Sequence, residues 1–352
     1  MTLHEVALLR LVAQRLASPG FDSPADAVRW LTAVQAQDYH GALTSIALRY
    51  TDRSRAGVEA ALDAGEVVRS WPMRGTLHFV AAEDLPWMLE LLTPRVLSAA
   101  ASRRAQLGLD ATALDRARRM AAEALAGGGR LSRAELFAVW DASGLSTTAQ
   151  RGYHMLWHLA QSGLLCFGPV REREQLVVLV EEWINDPRRP GRDQALCELA
   201  WRYFSSHGPA TLNDFMRWTK LVAADARAGL SLAKPRLARI EVEGVEHFMH
   251  PQAPELLDAC RAAAEGIFLL PGFDEFILGY ENRVAVVPPE FASRLVPGAN
   301  GMFRPTVVIE GRVVATWNHV GSGARRRLEV VPFAPLAEEM TVAVAEVYAT
   351  LP

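Results

Sequence analysis

Two glutamines, Gln35 and Gln37, flank Ala36 in the stretch LTAVQAQDYHGALTSIALRY, where an apolar helical pattern gives way to a turn. A glutamine side chain neither titrates nor attacks as a nucleophile. Each does offer a carbonyl acceptor and an amide donor, so two that converge can hold one water in a fixed orientation. Such a pair works without a shifted pKa. Whether the two converge depends on the backbone. Residues two apart on a helix diverge by about 200°, because each step turns ~100°. On extended backbone, residues i and i+2 share a face. The apolar spacing Val28, Leu31, Val34 stops just before the pair, and DYHG reads as turn-like, with Gly41 able to take a left-handed conformation. The pair is therefore expected in that turn, on extended backbone, with both side chains aimed the same way. The residue types alone leave a plainer reading open, in which both glutamines satisfy backbone groups in the turn.

Other groups able to do chemistry are scattered. In SWPMRGTLHF, Arg74 falls at a hairpin tip where it can meet a phosphate, while Trp71 and His78 are expected to pack and hydrogen-bond inside the hairpin. In WNHVGSGARRRLEV, His319, Arg325, Arg326 and Arg327 surround a Gly-Ser-Gly turn. That reads either as a hairpin able to enter a DNA groove or as a solvated loop, since three adjacent arginines cannot all face one way along a strand. FDEFILGYENR supplies Asp274, Glu275 and Glu281 without histidine or cysteine at ligand spacing. Hydrogen bonds and ion pairs that fix the surrounding β-structure are expected there, with no metal. His154 and His158 stand at a zinc-compatible i, i+4 spacing, but no Glu follows the first, and Leu156, Trp157 and Leu159 are core types. A packed helix is the expectation.

The bulk composition sets the limits. The chain has 352 residues, half of them hydrophobic and 22% charged, which suits an ordinary globular protein of two to four modest domains. No stretch approaches the ~20 apolar residues of a membrane span. MTLHEVALLRLVAQRL carries charges throughout and lacks the apolar core of a signal peptide, so a cytoplasmic protein is expected. Cys166, Cys197 and Cys260 lie far apart and read as reduced thiols. The net charge of −3 argues against a non-specific nucleic-acid binder, though not against a local basic groove. Lys220 and Lys234 are the lysines, leaving 35 of the 37 basic residues as arginine. That scarcity argues against Schiff-base chemistry.

The elements that must position these groups recur in a pattern of helix, helix, turn, helix and strand pair. SPADAVRWLTAV begins with Ser23 as N-cap and Pro24 at the first helical position. LSRAELFAVWDASG holds Ser132 and Glu135 at capping-box spacing, and TLNDFMRWTKL uses Thr211 and Asp214 as caps. Hairpins follow at EVVRSW/TLHFVAA, at LLCFGPVREREQLVVLV with VREREQ as a charged turn, and at LARIEVEG/EHFMH. The pattern predicts an α+β chain of three tandem winged helices, each a helix-turn-helix plus a β-wing. They cover residues 1–105 with the glutamine pair, 106–187 and 188–258. Beyond about residue 259 the texture turns β-rich, and residues 259–352 are expected to form a β-barrel-like domain closed by a last amphipathic helix.

At this point the chain resembles a known family. AVQAQDYHGALTSIALR, RSWPMRGTLHFVAAEDLPWML, LLPGFDEFILGYENR and VVIEGRVVATWNHV together are similar to the AlkZ-like winged-helix DNA glycosylases. The resemblance implies three winged helices around a groove and a C-terminal β-domain. It also implies hydrolysis of the N-glycosidic bond of bulky alkylated purines such as N7-alkylguanine, in DNA repair or in self-resistance to a DNA-alkylating natural product. The family's catalytic glutamine, apolar residue, glutamine signature falls on Gln35, Ala36 and Gln37. A β-hairpin against the minor groove, no cofactor and a monomer acting on double-stranded DNA are implied as well. Two other functions compete. One is a winged-helix regulator, which should carry a basic third helix where ALTSIALRY and AADARAGL are poor in such residues. The other is a resistance protein that sequesters the drug.

Overall fold

The computed structural model describes residues 1–172, 174–299, 301–321 and 327–352, and the protein is a mixed helix and sheet chain. Its contacts divide it into two compact units, Met1–Gly57 with Leu196–Pro352, and Val58–Ala195.

In the first unit, helix α1 (Leu3–Ala13) starts where the Thr2 side chain accepts the Glu5 N–H, and it is buried from Val6 to Ala13. Helix α2 (Pro24–Leu31) starts as its sequence dictates. The Ser23 hydroxyl accepts the Asp26 N–H and Pro24 takes the first turn, where a missing N–H costs nothing. Strand β1 (Val34–Gln35) and helix α3 (Tyr39–Ala47) follow. Here the expectation for DYHG needs correcting. Gly41 is helical, inside the first turn of α3, because Asp38 caps that helix by accepting the Gly41 N–H at 3.1 Å. A Cβ at Gly41 would lie 2.5 Å from Asp38 Oδ2, so glycine is needed there for room and not for a left-handed turn.

Later in this unit the helices Leu212–Thr219 and Ala223–Ala233 lead into the antiparallel strands β6 (Ala238–Val242) and β7 (Val245–Met249). The Thr211–Asp214 capping box is present with both of its hydrogen bonds. Helix α1 shares a core with Met249, Leu257, Leu270, Phe276, Val286 and Val313. The last strands, β8 (Ile267–Leu270), β9 (Thr306–Ile309), β10 (Arg312–Val320) and β11 (Arg327–Pro332), form an antiparallel sheet in the order β11-β10-β9-β8. This corrects the barrel expectation. The sheet is open, since four strands are too few to close around a filled interior. Helix Glu338–Ala349 covers it instead, packing Val344, Val347 and Tyr348 against Leu269, Val307, Ala315 and Trp317.

The second unit joins two hairpins edge to edge. Strands β2 (Val67–Met73) and β3 (Thr76–Ala81) turn at Arg74 and Gly75, both with positive φ, as tight hairpin turns favour. Helices Ala111–Leu125, Arg133–Ala142 and Arg151–Gln161 precede β4 (Leu165–Arg171) and β5 (Glu174–Leu179), and the Ser132–Glu135 capping box opens the middle helix. The strands β3, β2, β4 and β5 are neighbours in that order. Trp71, Leu136, Trp140, Met155, Leu159, Phe167 and Val177 form the core between helices and sheet.

Candidate active site

Helix α2 ends abruptly. Thr32, completely buried, takes φ 70°, a left-handed conformation that is costly for a β-branched residue. The chain leaves the helix there and runs extended through Val34 and Gln35. Burial then alternates residue by residue. Val34 and Ala36 are fully buried, Gln35 is half-buried and Gln37 is exposed. An extended backbone anchored by two apolar side chains places the intervening positions 35 and 37 on the opposite, outward face. Gln35 at the end of β1 and Gln37 at the bend beyond it are thus the more accessible positions of this segment. Asp38 is exposed, but one of its oxygens is committed to capping α3.

Behind this segment lies a buried polar frame contributed by residues far away in sequence. Glu275, completely buried, divides its two oxygens: Oε1 accepts the Gln35 main-chain N–H at 3.3 Å and Oε2 accepts the Trp218 indole N–H at 2.8 Å. His207 Nε2 lies 3.5 Å from the same Oε2. Ser206 spends its only hydroxyl proton on Arg202 O, so its oxygen accepts from His207, which fixes the imidazole proton on Nδ1.

The adjacent Asp274 faces α3. Arg49 donates to both of its oxygens at 2.8 Å, the Ser45 hydroxyl donates at 2.6 Å, and the Phe276 N–H caps onto Oδ1 at 2.9 Å. Burial opposes ionisation of this carboxyl, yet the Arg49 guanidinium with the Ser45 and Phe276 donors outweighs it and holds Asp274 below the usual range. Arg49 also donates to Gln14, which donates to the Tyr280 hydroxyl, which donates to His207 O. The Arg10 guanidinium lies 3.6 Å over the Tyr280 ring, and burial pushes the Tyr280 hydroxyl well up. The frame is therefore dense, with one ion pair at its centre whose side chains are wholly inaccessible.

The other sequence candidates are placed differently. Arg74 donates to His78 Nε2 at 2.8 Å, so the ring proton sits on Nδ1 and is donated to Thr76 O. Burial, and then the Arg74 charge, hold His78 neutral far below its ordinary value. Trp71 is buried in the core, as expected for this hairpin. His319 is half-buried, its Nδ1 2.9 Å from the Tyr348 hydroxyl and its ring against Trp317. Arg327 is exposed opposite Val320, the last pair of the β10–β11 register, while Arg325 and Arg326 lie outside the described residues. His154 and His158 sit on the packed helix Arg151–Gln161, where burial and nearby arginines lower both, His158 to about 4. Among the described residues no group of three metal-ligating side chains converges, and no helix is long and apolar enough to cross a membrane.

The sequence profile of the family described as DNA glycosylase AlkZ-like matches residues 28–351. The chain belongs to the AlkZ-like DNA glycosylases. It is 30% identical over 354 aligned positions to an interstrand DNA cross-link repair glycosylase of Streptomyces sahachiroi, covering 97% of this chain and 93% of that protein. Its fold is similar to the solved structure of Streptomyces sahachiroi DNA glycosylase AlkZ, with TM-score 0.81 and 27% identity over 99% and 95% of the two chains. This AlkZ-like protein is accordingly a hydrolase of N-glycosyl bonds in DNA.

What sequence reasoning missed in this AlkZ-like chain is the frame. Asp274 and Glu275 were expected to fix only the surrounding β-structure. Instead they reach Ser45, Arg49 and Gln35, and Glu281 alone makes the simple surface pair, with Arg217 at 2.6 Å. Gln14, Ser45, Arg49, His207, Trp218 and Tyr280 were not singled out. The available signal was weak: a polar Gln14 at the C-terminal cap of the apolar helix α1, and an arginine closing the apolar ALTSIALR.

Proposed function

We propose that this glycosylase releases bulky alkylated purines, N7-alkylguanine foremost, from double-stranded DNA, with Gln35 and Gln37 holding the attacking water. Alkylation at N7 makes the base cationic, so it departs with the bonding electron pair and becomes neutral without a strong general acid. The sugar is left oxocarbenium-like at its anomeric carbon. The water adds there, its proton passes to solvent, and an abasic site results. Two neutral amides suit this division of labour, because their donors and acceptors orient the water without having to titrate. An outward, shallow pair also suits adducts too large to be flipped into a closed pocket.

The reading extends to interstrand crosslinks by analogy with the Streptomyces sahachiroi relative, which is described as a cross-link repair glycosylase. The biological setting would be repair or self-resistance to a DNA-alkylating natural product. In this reading the three helix-and-hairpin runs are tandem winged helices over 1–105, 106–187 and 188–258, followed by the β-rich domain 259–352. The protein acts as a cytoplasmic monomer, and Arg74, His319, Arg325, Arg326 and Arg327 contact the duplex. Arg327 has the exposure this requires.

The observation that supports the proposal is the alternation across Val34–Gln37, in which Val34 and Ala36 are buried while Gln35 is half-buried and Gln37 exposed. The test is base release from duplex containing N7-alkylguanine by the wild type and by the Gln35→Ala, Gln37→Ala double variant. Release by the wild type and loss in the variant supports the assignment. Unchanged release in a folded variant removes the glutamines from the mechanism. A footprint without release by the wild type points to a regulator, and binding of an alkylating compound without DNA points to sequestration.

A further inference from the structure

Resting on the glutamine assignment, we propose that Glu275 is a positioning residue for catalysis: it aims the Gln35 side chain by holding the Gln35 peptide from behind. Three observations carry this. First, Oε1 of Glu275 accepts the Gln35 N–H across 240 residues of sequence. Because the peptide plane is rigid, fixing that N–H fixes the base of the Gln35 side chain. Second, the carboxylate cannot wander. Its other oxygen is held by the Trp218 indole at 2.8 Å, and the side chain is wholly buried. Third, the preceding Asp274 clamps the far side of the same bend through Ser45 and Arg49, which lie in and just after α3. One dipeptide thus grips the glutamine segment on its upstream side and the helix that follows it on the downstream side.

The chemistry of the carboxylate matters. Two N–H donors, Gln35 and Trp218, converge on position 275, and a carboxylate is acceptor-only with two oxygens, so it takes both. A glutamine at 275 would have one acceptor and would turn its NH₂ group toward one of the donors. A methionine would accept from neither.

The experiment follows from that count, using the full chain and a duplex carrying N7-alkylguanine. Single-turnover base release and duplex affinity are measured for Glu275→Met, for Glu275→Gln with Trp218→Phe, and for Glu275→Met with Trp218→Phe. Each is assayed at a temperature where its thermal melt shows it folded. Misplacing a catalytic group by ~1 Å costs on the order of 100-fold, so Glu275→Met should lose about that in rate while affinity for duplex stays within about twofold. The Glu275→Gln, Trp218→Phe pair leaves one donor for one acceptor and should recover to within about threefold of wild type. The Glu275→Met, Trp218→Phe pair should not recover.

Hydrogen exchange over residues 31–38 supplies a readout independent of turnover. It should quicken in Glu275→Met and return toward wild type in the glutamine–phenylalanine pair. Full turnover by folded Glu275→Met overturns the proposal, as does equal behaviour of the two double variants. If the Gln35→Ala, Gln37→Ala variant keeps full activity, the glutamine assignment itself fails. Loss there with full activity in Glu275→Met sinks only the positioning role.

Discussion

At Val34–Asp38 the main chain is held from behind, by Glu275 on the Gln35 N–H and by Asp38 on α3, with Gln35 half-buried and Gln37 exposed. At Met73–His78 the arrangement is inverted. The turn is held by its own polar side chains, with Arg74 donating to His78 and His78 donating to Thr76 O. Both stretches set polar residues at a bend beside apolar sequence, and both offered candidates for chemistry. The difference is where the hydrogen-bonding capacity goes. A bend whose backbone is held by distant groups does not depend on its own side chains for its shape, whereas the hairpin turn is fixed by side chains of its own.

The strongest test of this contrast is to delete the outward amides. Gln35→Ala with Gln37→Ala should slow base release by about 10²–10⁴-fold, the range a positioned group supplies, with little change in thermal stability. His78→Asn should leave the release rate within a few-fold of wild type. A similar loss in both variants would erase the distinction.

Next comes the frame. Arg49→Met leaves the Asp274 carboxylate buried without its cation and should destabilise the protein by about 3–5 kcal/mol, read by chemical denaturation. The pH dependence has a definite sign. Folded Asp274 ionises more readily than an unfolded aspartate near 3.8. Its contribution is therefore fully present above that pH and is lost as the pH falls through the lower folded value. Asp274→Asn should flatten that acid limb of the stability curve, and an unchanged limb would discount the pair.

A smaller effect is expected where the bend meets α3. Gly41→Ala forces a Cβ against Asp38 Oδ2 and should cost about 0.5–2 kcal/mol through the lost cap. Base release should fall with it if the cap helps to aim Gln37.

The self-satisfied hairpin gives the smallest changes. His78 should remain neutral in a proton NMR titration well below 6.5, because burial first and Arg74 second oppose its charge. Arg327→Ala should weaken duplex binding uniformly across sequences and reduce the salt slope by about one, with the rate of release from bound DNA unaltered.

Much of the fold was legible because its causes are local. Ser23 with Asp26, Ser132 with Glu135 and Thr211 with Asp214 each start a helix through hydrogen bonds spanning three residues. The tight turn at Arg74–Gly75 likewise follows from its own residues. Closure of the last sheet was misread because β-rich texture does not say what covers an exposed face. Here a terminal helix covers it, through contacts from Val344 to Ala315 and Trp317. Gly41 was misread for a related reason. A glycine in sequence signals either backbone freedom or lack of room, and only the position of Asp38 shows that room is what this one provides.

By itself the sequence determined that Gln35 and Gln37 flank an apolar residue beyond a helix end. Only the tertiary structure decided what holds that backbone, because Glu275 and Asp274 lie 240 and 225 residues from Gln35 and Arg49. Local hydrogen bonds and periodicity are written into neighbouring residues. A buried carboxylate finds its donors only when folding excludes water and leaves it no other partners.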